Sequence, residues 1–143
     1  IWDVTMVKGP GRAIFPIAPG RLNDAGVKDF ELTARFVEMM ENGGISIENN
    51  VAKIKCREQS DFKFGALPDE GWLEGVWTGN GKTIRYRKEF EVFPDRSYAH
   101  GCAVEVYDSD NYPYFEMEVH SPLLTVAPGE TVWFPQKWMV QSL

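Results

Sequence analysis

The second half of the chain alternates short apolar and polar runs, broken by turn residues at intervals of about ten positions, which is the pattern of antiparallel β-structure. Residues 71–77 and 82–92 flank Thr78-Gly79-Asn80-Gly81, and Asn80-Gly81 suits the two positive φ angles of a type I′ hairpin turn. Pro94-Asp95 closes the second run, residues 97–107 predict another strand, and Asp108-Ser109-Asp110-Asn111 turns the chain into residues 114–120. Pro128-Gly129 fits the central pair of a type II turn, after which residues 131–140 predict a closing strand carrying Trp133, Phe134 and Trp138. Pro135 cannot donate to a ladder, so that strand is expected at an edge or bent.

The first half is less regular. Strands are predicted over residues 2–7, 12–17, 44–47 and 51–56, the last two joined by Glu48-Asn49-Asn50, with residues 16–26 as a Pro- and Gly-bearing loop. Residues 29–41 are the helix candidate: Phe30, Ala34 and Val37 share a face, Met40 extends it, and Asn42-Gly43 can cap its end. Repeats, low-complexity tracts and charge blocks do not interrupt the pattern. The expectation is therefore an all-β antiparallel sandwich with at most one short helix, a single domain over residues 1–143.

Composition narrows the partners. The 143 residues are 43% hydrophobic and 13% aromatic, enough for one packed core. A net charge of -6 and a pI near 4.9 disfavour a phosphate-tracking surface, so nucleic acid is not expected as a partner. The sequence has no run approaching the ~20 apolar residues of a membrane helix, and Ile1-Trp2-Asp3-Val4 lacks the features of a signal peptide, so a membrane is not expected either. The chain opens without Met inside a predicted strand, which suggests a cropped or cleaved protein. Cys56 and Cys102 lack the paired spacing of a zinc site and read as two buried thiols or as one disulfide, which leaves the compartment open. A Gly-rich phosphate loop, a Gly-x-Ser-x-Gly elbow and a His pair at ligand spacing are missing, so no metal or cofactor is expected.

Three segments carry a family resemblance. Gly71-Trp72-Leu73, the strand Tyr86-Arg87-Lys88-Glu89-Phe90, and residues 98–107 lead into Tyr114-Phe115-Glu116-Met117-Glu118-Val119-His120-Ser121-Pro122-Leu123, Ala127-Pro128-Gly129-Glu130-Thr131 and Trp138. This order of acidic strand, Pro-bearing loop, Pro-Gly-Glu turn and Trp-bearing strand resembles the C-terminal part of an uncharacterised family of galactose mutarotase-like β-supersandwiches, related to aldose 1-epimerases. The resemblance implies a carbohydrate-binding or carbohydrate-processing domain and, for an enzyme, an aldose 1-epimerase-like isomerase. It covers nearly the whole chain but about half of the family's usual length. The sequence thus reads as the C-terminal portion of a larger supersandwich, and either a homo-oligomer or a missing N-terminal half is expected to cover the sheets.

The residues supply candidates for such chemistry. On residues 114–120, Phe115, Met117 and Val119 point one way and Glu116, Glu118 and His120 the other, although any antiparallel strand with one solvated face alternates like this. Mutarotation needs a base at the anomeric hydroxyl and an acid at the ring oxygen, roles that a carboxylate and a His can fill. Glu118 is then the base and His120 the acid; Glu116 stays an alternative, since the family's catalytic glutamate aligns with either residue. Lys88, His100 and Glu105 are candidate substrate-binding residues. Lys88 shares the apolar face of Ile84, Tyr86, Phe90 and Val92, where an ammonium needs a partner or must snorkel to a rim. Sugar rings stack on aromatic side chains, for which Trp72, Trp77, Tyr107, Tyr112 and Tyr114 are available. Tyr112 and Tyr114 flank Pro113 beside a turn and are the best placed for exposure. The rival reading is a non-catalytic structural or protein-interaction sandwich.

Overall fold

A computed structural model describes residues 1–30, 35–58 and 61–143. The described strands are β1 (Trp2–Lys8), β2 (Gly11–Pro16), β3 (Lys28–Asp29), β4 (Ile45–Glu48), β5 (Val51–Cys56), β6 (Phe62–Ala66), β7 (Trp72–Gly79), β8 (Lys82–Phe90), β9 (Val104–Asp108), β10 (Tyr114–His120) and β11 (Gln136–Ser142), with one short helix, α1 (Arg35–Glu41). They form a five-stranded sheet in the order β1-β10-β9-β6-β3 and a six-stranded sheet in the order β11-β8-β7-β2-β5-β4, both antiparallel. The expected all-β sandwich with one short helix is the fold.

Alternation sets the core between the sheets. Phe115, Met117 and Val119 of β10, Val104 and Val106 of β9, and Phe62 and Phe64 of β6 are fully buried against Ala13 and Phe15 of β2, Ile54 of β5 and Leu73 of β7. Two glycines permit the close approach: a Cβ at Gly75 would stand 2.6 Å from Met117 Sδ, and one at Gly11 would stand 3.2 Å from the Phe115 ring. The side chains of β10, β9 and β6 that alternate with the core residues, including Glu118, Glu105 and Lys63, therefore occupy the outer face of the five-stranded sheet.

Turn chemistry behaves as the sequence predicts in three places. Asn80 and Gly81 have φ values of 52° and 72° between β7 and β8, Asn49 and Asn50 do the same at 50° and 58° between β4 and β5, and Gly129 takes φ 87° where Glu130 N donates to Ala127 O at 3.0 Å. β11 starts only after Pro135 and lies at a sheet edge.

Two expected elements are corrected, the helix and the strand over 97–107. Residues 28–29 pair with Gly65 and Phe64 as β3, so the helix does not begin at Asp29; it spans Arg35–Glu41, and the expected position of Ala34 lies outside the described residues. Its inward side is Met39, with Phe36 against the core, while Val37 and Met40 are exposed. The strand expected over 97–107 is broken by a 3-10 turn at Ala99–Gly101, where His100 and Gly101 both have positive φ, and regular pairing begins only at Val104. Cys56 and Cys102 are both buried free thiols.

Candidate functional site

The antiparallel registers of the five-stranded sheet bring charged residues together on its outer face. Glu118 on β10 lies opposite Glu105 on β9, Glu105 lies opposite Gly65 on β6 beside Lys63, and Trp2 on β1 lies opposite His120. Gly65 matters here, because any Cβ at that position would stand 2.6 Å from Cys102 Sγ and 2.9 Å from the Phe30 ring, which pack beside the cluster.

The contacts are tight. Lys63 Nζ lies 2.8 Å from Glu105 Oε2 and donates to both Glu118 oxygens at 3.1 and 3.2 Å. Trp2 Nε1 donates to Glu118 Oε2 at 2.7 Å, and its ring stacks on His120 with 6.3 Å between centroids. His120 Nε2 lies 3.6 Å from both Glu105 Oε1 and Glu118 Oε2, too long for a good hydrogen bond, and has no hydrogen-bond partner. His100 Nδ1 approaches Glu105 Oε1 at 3.0 Å from the solvent side. Glu105, Glu118 and His120 are 0%, 1% and 4% exposed, so the cluster lies beneath the surface and only its rim meets solvent.

Burial and charge act against each other in this cluster. Burial alone would raise the Glu105 carboxyl, but the neighbouring His120 and Lys63 cations outweigh it and hold the group at about 2. Burial would likewise lower His120, yet Glu105 and Glu118 push the imidazole up to about 9. Glu118 is lowered and Lys63 raised, each against the effect of burial, by the same partners. At neutral pH the four groups rest as two carboxylates, an imidazolium and an ammonium, with the charges balanced. Glu116, further along the same face, is raised by burial and then by the Glu118 charge.

Of the residues singled out in the sequence, Glu105, Glu118, His120 and His100 meet, with Glu116 on the same face. Tyr112 and Tyr114 stack at 5.3 Å, and Tyr107 packs against Tyr112 at 6.5 Å. Since Tyr107 pairs with Glu116 and Tyr114 with Lys8, these tyrosines sit at the other end of that face. Lys88 does not join them: it is fully buried between the sheets, where its ammonium pairs with Asp3 of β1. Its alternation was legible, but not that β8 belongs to the opposite sheet. Two residues of the cluster were missed. Lys63 lies on β6, whose Phe62-Lys63-Phe64-Gly65-Ala66 run carries no separate strand signal, and Trp2 reaches the cluster through the β1–β10 register, which sets it opposite His120.

Trp2 and His120 also border a cleft of ≈ 340 Å³ closed on its far side by Pro122, Leu124, Val126 and Val132. Ile1 lines it too, its carbonyl accepting from Ser121 N at 2.9 Å. Comparison with known proteins finds no family model, no curated protein and no solved structure that matches this chain.

Proposed function

We propose that this domain recognises carbohydrate at the outer face of its five-stranded sheet, in the cleft beside Trp2. One observation carries the reading: Trp2 is 62% exposed and its indole is yet fixed, by its hydrogen bond to Glu118 and its stacking on His120. A rigid exposed aromatic plane beside polar groups is what a pyranose ring needs, apolar face on the indole and hydroxyls toward donors and acceptors. His100, next to Ala99 of the cleft lining, is available for those hydroxyls, and the family resemblance of the acidic strand points the same way.

The electrostatics favour binding over epimerisation. A general base works best with a pKa near the working pH, whereas Glu105 is held at about 2 and Glu118 is also lowered by its cationic neighbours. His120, protonated at neutral pH, has the form of a general acid but lacks an accessible matched base. Calorimetric titration with a panel of mono- and oligosaccharides tests the reading. Saturable binding is expected for the wild-type chain, lost in Trp2→Ala and partly kept in Trp2→Phe, with anomerisation of α-glucose or α-galactose no faster than in buffer. Lack of response to the whole panel would sink the carbohydrate reading, and fast anomerisation would restore the epimerase-like isomerase with Glu118 as base and His120 as acid.

A second reading, an interaction domain, draws on a different observation. Trp133, Leu123 and Val140 are 83%, 63% and 68% exposed, and Trp138 on the edge strand β11 is 60% exposed. Concentration-dependent association in light scattering, reduced by Val140→Lys, is the result that reading expects; a monomer at all concentrations removes a homo-oligomer from consideration.

A further inference from the structure

The geometry of the charged cluster points to a use that the carbohydrate reading does not need. We propose that Glu105, Glu118 and His120 form a three-ligand site for a borderline divalent transition-metal ion such as zinc or cobalt.

The donor atoms are already gathered. One oxygen from each carboxylate and one His120 ring nitrogen all lie within 4.8 Å of one another. His120 Nε2 is equidistant, at 3.6 Å, from Glu105 Oε1 and Glu118 Oε2. Donors at zinc bonding distance in a tetrahedron stand roughly 3.3–3.4 Å apart, so the two imidazole–carboxylate separations need to close by only a few tenths of an ångström. His120 Nε2 is buried and has no hydrogen-bond partner, an arrangement that costs free energy unless something accepts or shares that atom. His100 Nδ1, 3.0 Å from Glu105 Oε1, sits on a half-exposed side chain and steadies that carboxylate from the rim, which leaves the fourth position of a tetrahedron to water.

The same set selects against other ions. Magnesium and calcium prefer all-oxygen coordination, whereas imidazole with carboxylate suits zinc, cobalt and their neighbours. Two carboxylates balance a dication. Trp2 Nε1 on Glu118 Oε2 supplies the kind of outer contact that fixes a ligand's orientation. Lys63 and the His120 proton are the competitors: an ion entering from the cleft that His120 lines displaces that proton to solvent, and the ammonium, which contacts both carboxylates, yields part of that contact. The competition gives the proposal its sharpest consequence, since removal of Lys63 must tighten metal binding.

Chelator-treated protein titrated with Zn²⁺ and Co²⁺, followed by calorimetry and by the visible absorption of cobalt, tests this directly. Expected are one ion per chain, visible bands of low-coordinate cobalt, no comparable uptake of Mg²⁺ or Ca²⁺, at least tenfold weaker binding in His120→Gln, and tighter binding in Lys63→Met. Equal cobalt binding by wild type and His120→Gln, or the absence of stoichiometric uptake, overturns the proposal. Should His120→Gln fail to fold, Lys63→Met decides alone: unchanged or weaker uptake overturns it. Sugar titrations leave these outcomes untouched, so the two readings fail separately.

Discussion

At the scale of single residues, the cluster around Glu105 makes a pH prediction with two limbs. The imidazole of His120 is raised from 6.5 to about 9, so the folded chain keeps a proton that the unfolded chain releases near 6.5. Its contribution to stability is complete below about 6.5 and is lost as pH rises toward about 9. Glu105 is lowered from 4.5 to about 2, so its contribution is complete above about 4.5 and is lost as pH falls toward about 2. Chemical denaturation across pH is expected to show a plateau between these limits, and His120→Gln is expected to flatten the alkaline limb selectively. An alkaline limb as steep in His120→Gln as in wild type would assign the loss to other groups. Glu105→Gln, which strips two cationic partners, Lys63 and His120, of a buried anion, is expected to cost about 3–5 kcal/mol. Much of this site was legible from alternation alone, which places Glu116, Glu118 and His120 on one face. The meeting of Glu105 with Glu118 was not, because it depends on the register between β9 and β10, which one sequence does not carry.

At the scale of elements, legibility followed the turns. The β7–β8 hairpin was readable because Asn80-Gly81 leaves few conformations other than the paired positive φ values that it adopts. Asn80→Pro is therefore expected to cost about 3 kcal/mol or more, since the pyrrolidine ring fixes φ near -65° where the hairpin needs 52°. Thermal unfolding measures this, and an unchanged midpoint would mean that the hairpin tolerates another turn. Where punctuation was weak, prediction failed. The 29–41 segment has apolar residues at spacings that suit several helix faces, and the face that packs, Phe36 and Met39, was decided by the sheet that α1 meets. β6 was overlooked because Gly65 lowers its strand signal, yet that glycine is required by the closeness of Cys102 and Phe30. Gly65→Val is expected to destabilise by about 2 kcal/mol or more through overpacking, and to disturb the outer-face cluster with it.

At the scale of the whole molecule, the two sheets are tied by buried charge pairs, Lys88 with Asp3 among them, as well as by apolar packing. Lys88 of β8 is fully buried and its ammonium pairs with Asp3 of β1, 85 residues away in sequence; Gln136 Nε2 also donates to Asp3 at 3.3 Å, and the Trp138 ring lies 5.7 Å from the ammonium. Burial pulls the Lys88 pKa down while Asp3 opposes the shift. The two partners are not equivalent. Asp3 keeps 24% of its side chain exposed and Lys88 keeps none, so removing the carboxylate strands an ammonium with little access to water, whereas removing the ammonium leaves a carboxylate that solvent can reach. Asp3→Asn is thus expected to cost about 3 kcal/mol, at the lower end for a broken buried pair because water enters on the aspartate side. Lys88→Met is expected to cost less, since methionine fills the same unbranched volume against Leu73, which lies opposite Lys88 in the ladder. The double variant is expected to recover most of the loss, because two neutral side chains leave no charge between the sheets. Urea denaturation of the four proteins gives the coupling energy directly. A double variant no more stable than Asp3→Asn alone would show that packing, and not the isolated charge, sets the cost at this junction.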